Sequence, residues 1–304
     1  MNSVKFTKMH GCGNDFILID DRDDVIPEEE KGELARFLSQ RNFSVGADGV
    51  LYLCRPTIGS FDVRMRVFNP DGSEAEMCGN GIRCFAKYIY EKGVLRSKIL
   101  KVETLAGLIL PEVEVNDEGI VTGVRVFMGK PIFDKIDEVF YVNAEIGEVR
   151  LTTLSIGNPH AVLIIDTFEG LDVDRIGKAI ESHKAFPNRT NVTFVVIAGN
   201  GKKVEGKRKE NEISVRTYER GIGETLSCGT GAVASVLALN VLLPARGVQA
   251  GGYGNIGEQV MVHTKGGDLV VEVREEGAYL TGPAEKVYEG VVPACSLRAG
   301  KWLN

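Results

Sequence analysis

Two four-residue turns hold the residues best suited to chemistry, Cys78-Gly79-Asn80-Gly81 and Cys228-Gly229-Thr230-Gly231. Each leads into an apolar run of helical character, residues 82–90 and 232–239. Glycine permits the backbone turns that aim several N–H groups at one point. A helix start adds unsatisfied donors and a partial positive charge. Such a turn binds an anion, and a thiol placed there is drawn towards thiolate. Two of them in one chain suggest two thiols facing one small anionic ligand. Inverting a carbon acid without a cofactor needs that arrangement: one base removes the proton, and a second group returns one to the opposite face. Thiols suit the task, because a reference pKa near 8.5 leaves both forms accessible near neutrality. The pair must be one thiolate and one thiol, which exchange roles at each turnover.

The elements that would position the thiols repeat. When residue n is laid on residue n + 150, Cys78 falls on Cys228 and the strand-like run 63–68 falls on 213–218. Asn69 then falls on Glu219, and Glu74 on Glu224. Upstream, Gly13-Asn14 and Gly157-Asn158 each open an apolar strand that ends in Asp20 or Asp166. The chain therefore reads as a duplicated unit with its two copies facing each other.

At 304 residues the length agrees with two domains. A net charge of −6 without a basic block gives no sign of nucleic acid, and no apolar run reaches membrane-spanning length. The N-terminus lacks a secretory apolar segment, so the cytoplasm is expected, with a small molecule as partner. The six cysteines form no C-x-x-C pair and read as free thiols. Cys54, Cys84 and Cys295 are expected to be apolar packing residues.

The pattern predicts a hairpin over 4–20, a solvated acidic loop at 20–24, and a helix over 28–40 burying Leu34, Phe37 and Leu38. Strands follow near 45–53 and 62–68, then the first cysteine helix, stopping near Gly93. Short strands are expected over 99–127 and 139–165. A second amphipathic helix spans 173–186, and a turn at 187–191 opens the strand 192–197. A polar hairpin tip is expected at 199–211. The second cysteine helix is expected to end at Pro244, ahead of a Gly-rich loop at 245–257, a hairpin over 258–280 and a tail.

The blocks MHGCGNDF (9–16), VGADGVL (45–51), FNPDGSEAEMCGNGIRCFAKY (68–88), IGNPHAV (156–162), FPNRTNV (186–192), YERGIGETLSCGTGA (218–232) and TGPAEKVYEG (281–290) stand in the order of one family. On them the sequence resembles the diaminopimelate epimerases, cofactor-independent enzymes of lysine and peptidoglycan precursor biosynthesis. The resemblance implies interconversion of LL- and meso-2,6-diaminopimelate, with Cys78 and Cys228 as the two acid/base residues. It implies substrate contacts from Asn14, Asn69, Gly79, Asn80, Asn158, Asn191, Glu219, Arg220, Gly229 and Thr230. His160 and Glu219 would tune the thiols. The fold implied is α/β (α+β): two similar halves related by a pseudo-twofold axis, each a curved mixed sheet or barrel around a central helix, with the active site in the cleft between them. The halves would be 1–123, with 281–304 returning to it, and 124–280. No PLP or metal is implied, and relatives often form homodimers. Cys12 departs from the family pattern, standing where many relatives carry an apolar residue. So does Gly49, which replaces a substrate-contacting Gln of some relatives.

Other readings stay open. A lone cysteine before Gly-x-Gly is usually a structural turn, His160 alone would more often be a structural histidine, and Glu219-Arg220 alone could be a surface ion pair. The chain could instead be a racemase of another amino acid such as histidine, or a non-enzymatic thiol protein. The Asn and Glu-Arg set favours diaminopimelate.

Overall fold

A computed structural model describes residues 3–197, 211–245 and 259–293. It divides into two compact units: the chain up to Val126 together with the segment from Gly282, and Phe127–Thr281.

In the first unit the strand Gly49–Cys54 and the stretch Phe16–Ile19 of the strand Asn14–Asp20 are apolar without a break, and burial on both faces explains this. Ile17, Ile19, Val50 and Tyr52 pack against helix α1 (Lys31–Leu38) through Ala35 and Leu38, with Leu34 and Phe37 at the margin. On the other face Leu51 meets helix α2 (Gly79–Glu91) at Gly81. The sheet is mixed. Its order is Glu285–Pro293, Ser3–Gly11, Asn14–Asp20, Gly49–Cys54, Val63–Phe68, Val102–Thr104, Gly107–Ile109. Asn14–Asp20 runs parallel to Gly49–Cys54, and Val63–Phe68 parallel to Val102–Thr104. α2 packs against the first four strands of the chain and against Glu112–Val115, so it is the central helix of its unit.

The second unit repeats the scheme. Pro159–Ile164 runs parallel to Asn191–Ile197, and Glu212–Glu219 parallel to Gln259–Thr264. Ala161, Leu163, Val192 and Phe194 pack on helix α3 (Val173–Glu181), whose first turn is capped by Asp172 accepting from Arg175 N at 3.0 Å. Helix α4 (Gly229–Ala245) packs on the opposite face and is buried all round from Gly231 to Leu239, as an enclosed helix must be. The duplication extends to side chains. Arg66 grips Glu74 through two bonds of 2.7 Å, and Arg216 grips Glu224 at 2.6 and 2.8 Å. These are the same two positions of the repeat.

The units differ at one edge. Beside Gly147–Ser155 lies the strand just before it in the chain, Ile132–Asn143. Beside Ser3–Gly11 lies the C-terminal strand Glu285–Pro293, antiparallel. Gly290 sits there under the ring of Phe6, where a side chain would come within 2.5 Å of it.

Several expectations are corrected in detail. Asp21 is not solvated: it is buried, accepts from Ile26 N at 3.0 Å and pairs with buried Lys31 at 2.8 Å. A charge at that depth requires such a partner. The 28–40 helix begins with a 3-10 turn, Glu28–Glu30, and ends at Leu38. α3 stops at Glu181, and Phe186 returns from the following turn to pack on Phe140. α4 runs one residue past Pro244. The tip at 199–211, the loop at 245–257 and the tail at 291–304, with Cys295, lie outside the described residues except at their ends. Among the described residues no helix is long and apolar enough to cross a membrane.

Candidate active site

In the first unit Cys78 is the N-cap of α2. Its backbone is extended (φ −139°, ψ 120°), and its Sγ accepts the N–H of Gly81 at 3.4 Å. Gly81 leaves little room for a side chain there. A Cβ would stand 3.2 Å from Leu51 Cδ2 and 3.2 Å from Cys78 Cβ. The hairpin turn brings Asn14 to the same place, with Cys12 at φ 53° and Gly13 at φ 81°. Asn14 Oδ1 accepts from Asn80 at 3.1 Å and from the Cys78 thiol at 3.9 Å, while its Nδ2 donates to Asp48 at 2.8 Å. Asp48 is held in turn by Arg41 at 2.5 Å. Gly79 leaves open space where a side chain would be, with nothing within 4 Å. Asn69 braces its own turn, donating to Ser73 Oγ at 3.0 Å.

In the second unit Gly231 N donates to Cys228 Sγ at 3.4 Å, and Thr230 Oγ1 lies 3.5 Å from the sulfur. A chain of polar contacts leads outward from it: Asn158 Nδ2 donates to Thr230 Oγ1 at 3.2 Å, and His160 Nε2 to Asn158 Oδ1 at 2.9 Å. Glu219 accepts from Thr225 at 2.6 Å and stands beside Cys228. Asn191 is turned to the backbone, donating to Pro159 O at 3.0 Å and accepting from Arg220 N at 2.9 Å. Arg220 Nη1 donates to Asn188 O at 3.1 Å. The structure thus gathers Asn14, Gly79 and Asn80 around Cys78. Around Cys228 it gathers Asn158, Glu219, Gly229 and Thr230, with His160, Asn191 and Arg220 one step further out.

The electrostatics depart from the expectation drawn from helix starts alone. Burial pushes the Cys228 thiol well above its ordinary range, and the Glu219 carboxylate beside it pushes the same way. These effects outweigh the hydrogen bonds from Thr230 and Gly231, so Cys228 is held as a thiol. Two supporting residues carried no signal strong enough to single them out. Asp48, inside the VGADGVL block, fixes Asn14. Glu181 is buried, accepts from Gly221 N at 2.8 Å and pairs with Arg189 at 3.3 Å, bracing the turn after Glu219. A separate cavity of about 860 Å³ opens at the far end of α2, lined by Asp20, Arg22, Tyr88, Lys92 and Glu289 among others. Arg22 pairs with Asp20 and Lys92 with Glu289 there, each at 2.7 Å, and no expected site residue lines it.

The family described as diaminopimelate epimerase matches residues 6–133 and 152–287. The chain belongs to that family. A diaminopimelate epimerase of Methanothermobacter thermautotrophicus is 43% identical over 306 residues, covering 95% of this chain and 98% of the relative. One from Pelotomaculum thermopropionicum is 45% identical over 305 residues, covering 95% and 99%. Among solved structures, a phenazine biosynthesis protein of the PhzF family from Bacillus anthracis aligns with a TM-score of 0.71 at 18% identity, covering 96% of this chain and 99% of that one. A hydroxyproline epimerase from Agrobacterium vitis, with bound trans-4-OH-L-proline, aligns at 0.66 and 18%, covering 96% and 94%. At that identity these two likenesses carry the fold of the diaminopimelate epimerase family and no more.

Within this family member His160 is a neutral residue. It is 1% exposed, and burial, helped by the positive charge of Arg220, pulls its pKa down from 6.5 to about 3. The unfolded chain therefore binds a proton below about pH 6.5 that the folded chain refuses. This contribution to stability is complete above that pH and falls as the pH drops towards 3. Between pH 7 and 5 the wild type is expected to lose about 2 kcal/mol that a His160→Gln variant does not lose. Urea denaturation of both proteins at the two pH values measures this. Equal losses in the two would show that His160 titrates normally in the fold.

Proposed function

We propose that this protein is an amino-acid epimerase that interconverts LL- and meso-2,6-diaminopimelate by two-base chemistry, with no cofactor. The observation that carries the reading is the repeated thiol turn: Cys78 and Cys228, each ahead of a central helix, each accepting the N–H three residues on. Near-full-length likeness to diaminopimelate epimerases supplies the substrate. A thiolate takes the α-proton, and the other thiol donates its proton to the opposite face of the same carbon. One C–H bond breaks and one forms, so nothing is oxidised. Backbone N–H groups of Gly79-Asn80 and Gly229-Thr230 suit the substrate carboxylate and the charge that grows on the α-carbon unit. Asn14, Asn69, Asn158, Asn191, Glu219 and Arg220 serve the amino-acid ends, whose ammonium needs acceptors and whose carboxylate needs donors. Asn14 and Asn158 are each tied to the residues of one thiol turn, which supports their assignment. The halves are taken as 1–123 with 281–304, and 124–280. Cytoplasmic location is proposed from the N-terminal sequence, and a homodimer from the family resemblance; fractionation and light scattering test the two.

The test is solvent exchange. Reduced enzyme is incubated with LL-diaminopimelate in D2O, and the α-proton is followed by NMR with chiral analysis. Deuterium entering together with inversion is the expected result. Absence of exchange would point to a different amino acid, and histidine and proline would be tried next.

A further inference from the structure

The turns that begin at Asn69 and Glu219 occupy the same place in the repeat, yet they are held in different ways. Each is closed by the carbonyl of its first residue: Asn69 O accepts from Gly72 N at 2.9 Å, and Glu219 O accepts from Ile222 N at 3.0 Å. The first turn is braced from within. Asp71 Oδ1 accepts from Ser73 N at 2.9 Å and from Ser73 Oγ at 2.6 Å, and Asn69 donates to the same hydroxyl at 3.0 Å. Carried onto residue n + 150, Asp71 and Ser73 fall on Gly221 and Gly223. Both stand at positive φ, 77° and 113°, where glycine is at least cost. Neither has a side chain with which to brace the turn.

The second turn is braced from outside instead, and α3 holds it at two points. Near the start of the helix Asp174 Oδ1 accepts from Glu224 N at 3.2 Å. At its last residue Glu181 accepts from Gly221 N at 2.8 Å. Between them Gly177 lets the helix lie close to the strand: a Cβ there would come within 2.5 Å of Tyr218 Cβ. Asn191 adds a bond from another element, accepting from Arg220 N at 2.9 Å. Glu181 is only 3% exposed, and a buried carboxylate is costly unless it is well bonded. Arg189 pairs with it at 3.3 Å from an exposed position. The flanking helix of the first unit meets its own turn differently. There Arg36, which is exposed, donates to Asp71 O at 3.0 and 2.8 Å. The buried carboxylate clamp thus belongs to the turn that carries Glu219 and Arg220. Glu219 itself accepts from Thr225 and stands beside Cys228.

We propose that Glu181 is a positioning residue: from the end of α3 it fixes the glycine-bearing turn of Glu219 and Arg220, and so sets where the Glu219 carboxylate stands against the Cys228 thiol. This rests on the two-thiol reading above. The reach of the carboxylate oxygen matters here, and its charge does not.

Two variants separate reach from charge. Glu181→Asp keeps the charge and withdraws the oxygens by one methylene. Glu181→Gln keeps an acceptor at full reach and gives up the charge. Ile180→Val is the stability control, since it removes one methyl from the core face of the same helix. Amide hydrogen exchange is followed over residues 219–226 without substrate, and kcat for inversion of LL-diaminopimelate is measured well below each Tm. In the wild type the Gly221 amide is expected to exchange slowly, although the residue is exposed. Glu181→Asp is expected to speed exchange in this segment about tenfold and to lower kcat about tenfold or more. Glu181→Gln is expected to stay within about threefold of the wild type in both. Ile180→Val is expected to lower Tm and keep kcat, as any purely structural loss would. Freely exchanging Gly221 in the wild type, unchanged kcat in folded Glu181→Asp, or an equal fall of kcat in Ile180→Val would each overturn the proposal. So would a Glu181→Gln variant as impaired as Glu181→Asp. Should Glu181→Asp not fold, the wild-type exchange of Gly221 and the kcat of Glu181→Gln still decide. Failure of the wild type in the D2O experiment would overturn the epimerase reading, whereas the exchange measurement, made without substrate, judges the hold of Glu181 on the turn by itself.

Discussion

Replacing Cys78 or Cys228 with alanine or serine is expected to abolish inversion of diaminopimelate, lowering kcat by roughly 10³-fold or more in each variant. The size follows from the chemistry. A two-base epimerisation uses one thiol to break a C–H bond and the other to make one, and neither step has a substitute. Serine separates acidity from shape. It keeps nearly the same volume and can take up the N–H of Gly81 or Gly231, but its hydroxyl is far too weak an acid to act as a thiolate does. The two variants should differ in what remains. A protein that keeps one thiol can still exchange the α-proton of the hand that thiol addresses, with retention, while inversion is lost. Chiral analysis of the D2O reaction reads both quantities. Undiminished inversion in either variant would remove that cysteine from the mechanism, and the duplication would then describe ancestry alone.

Gly231→Ala is expected to damage stability and catalysis together. A Cβ at this position would stand 2.8 Å from Thr217 Oγ1 and 3.1 Å from Thr193 Oγ1. Those hydroxyls are buried and hydrogen-bonded to one another at 3.2 Å, so neither can move away without losing a partner. Overpacking of this kind costs about 1–3 kcal/mol. Relief would have to come from displacing the first turn of α4, the turn whose N–H groups hold Cys228. Thermal denaturation should show a Tm lower by several degrees, with kcat reduced about tenfold or more by the shift of the thiol. Gly79→Ala is the control. Its Cβ meets nothing within 4 Å, and alanine is a good helix former, so stability should hold within about 0.5 kcal/mol. If Gly231→Ala folds as stably as the wild type, the packing of α4 on its sheet is looser than the structure shows.

What could be read from the chain alone were the features that neighbouring residues encode. Glycine-bearing turns before apolar runs mark helix starts, and the offset of 150 lays Arg66-Glu74 on Arg216-Glu224, which form matching ion pairs. The runs at 14–20 and 49–54 announced strands because dihedral preference and side-chain period are local. Helix ends were less legible. α3 stops at Glu181, and Phe186 in the following turn packs on Phe140, a contact with a strand more than 40 residues upstream that the local pattern does not encode. Asp21 looked like loop and is buried, because Lys31 comes up beneath it.

The candidate site divides in the same way. The sequence determined that two thiols stand at two helix starts, and that Asn14 and Asn158 open matching strands. It could not determine that Asp48 turns the Asn14 amide, that the C-terminal strand closes the edge beside Ser3–Gly11, or that Arg83 ends against Pro283 O, 200 residues away. Nor could it determine that burial and Glu219 raise the Cys228 thiol although the same motif surrounds Cys78. Acidity depends on how much water remains and which charges stand within a few ångströms. Both depend on segments far apart in the chain, and only the tertiary structure brings them together.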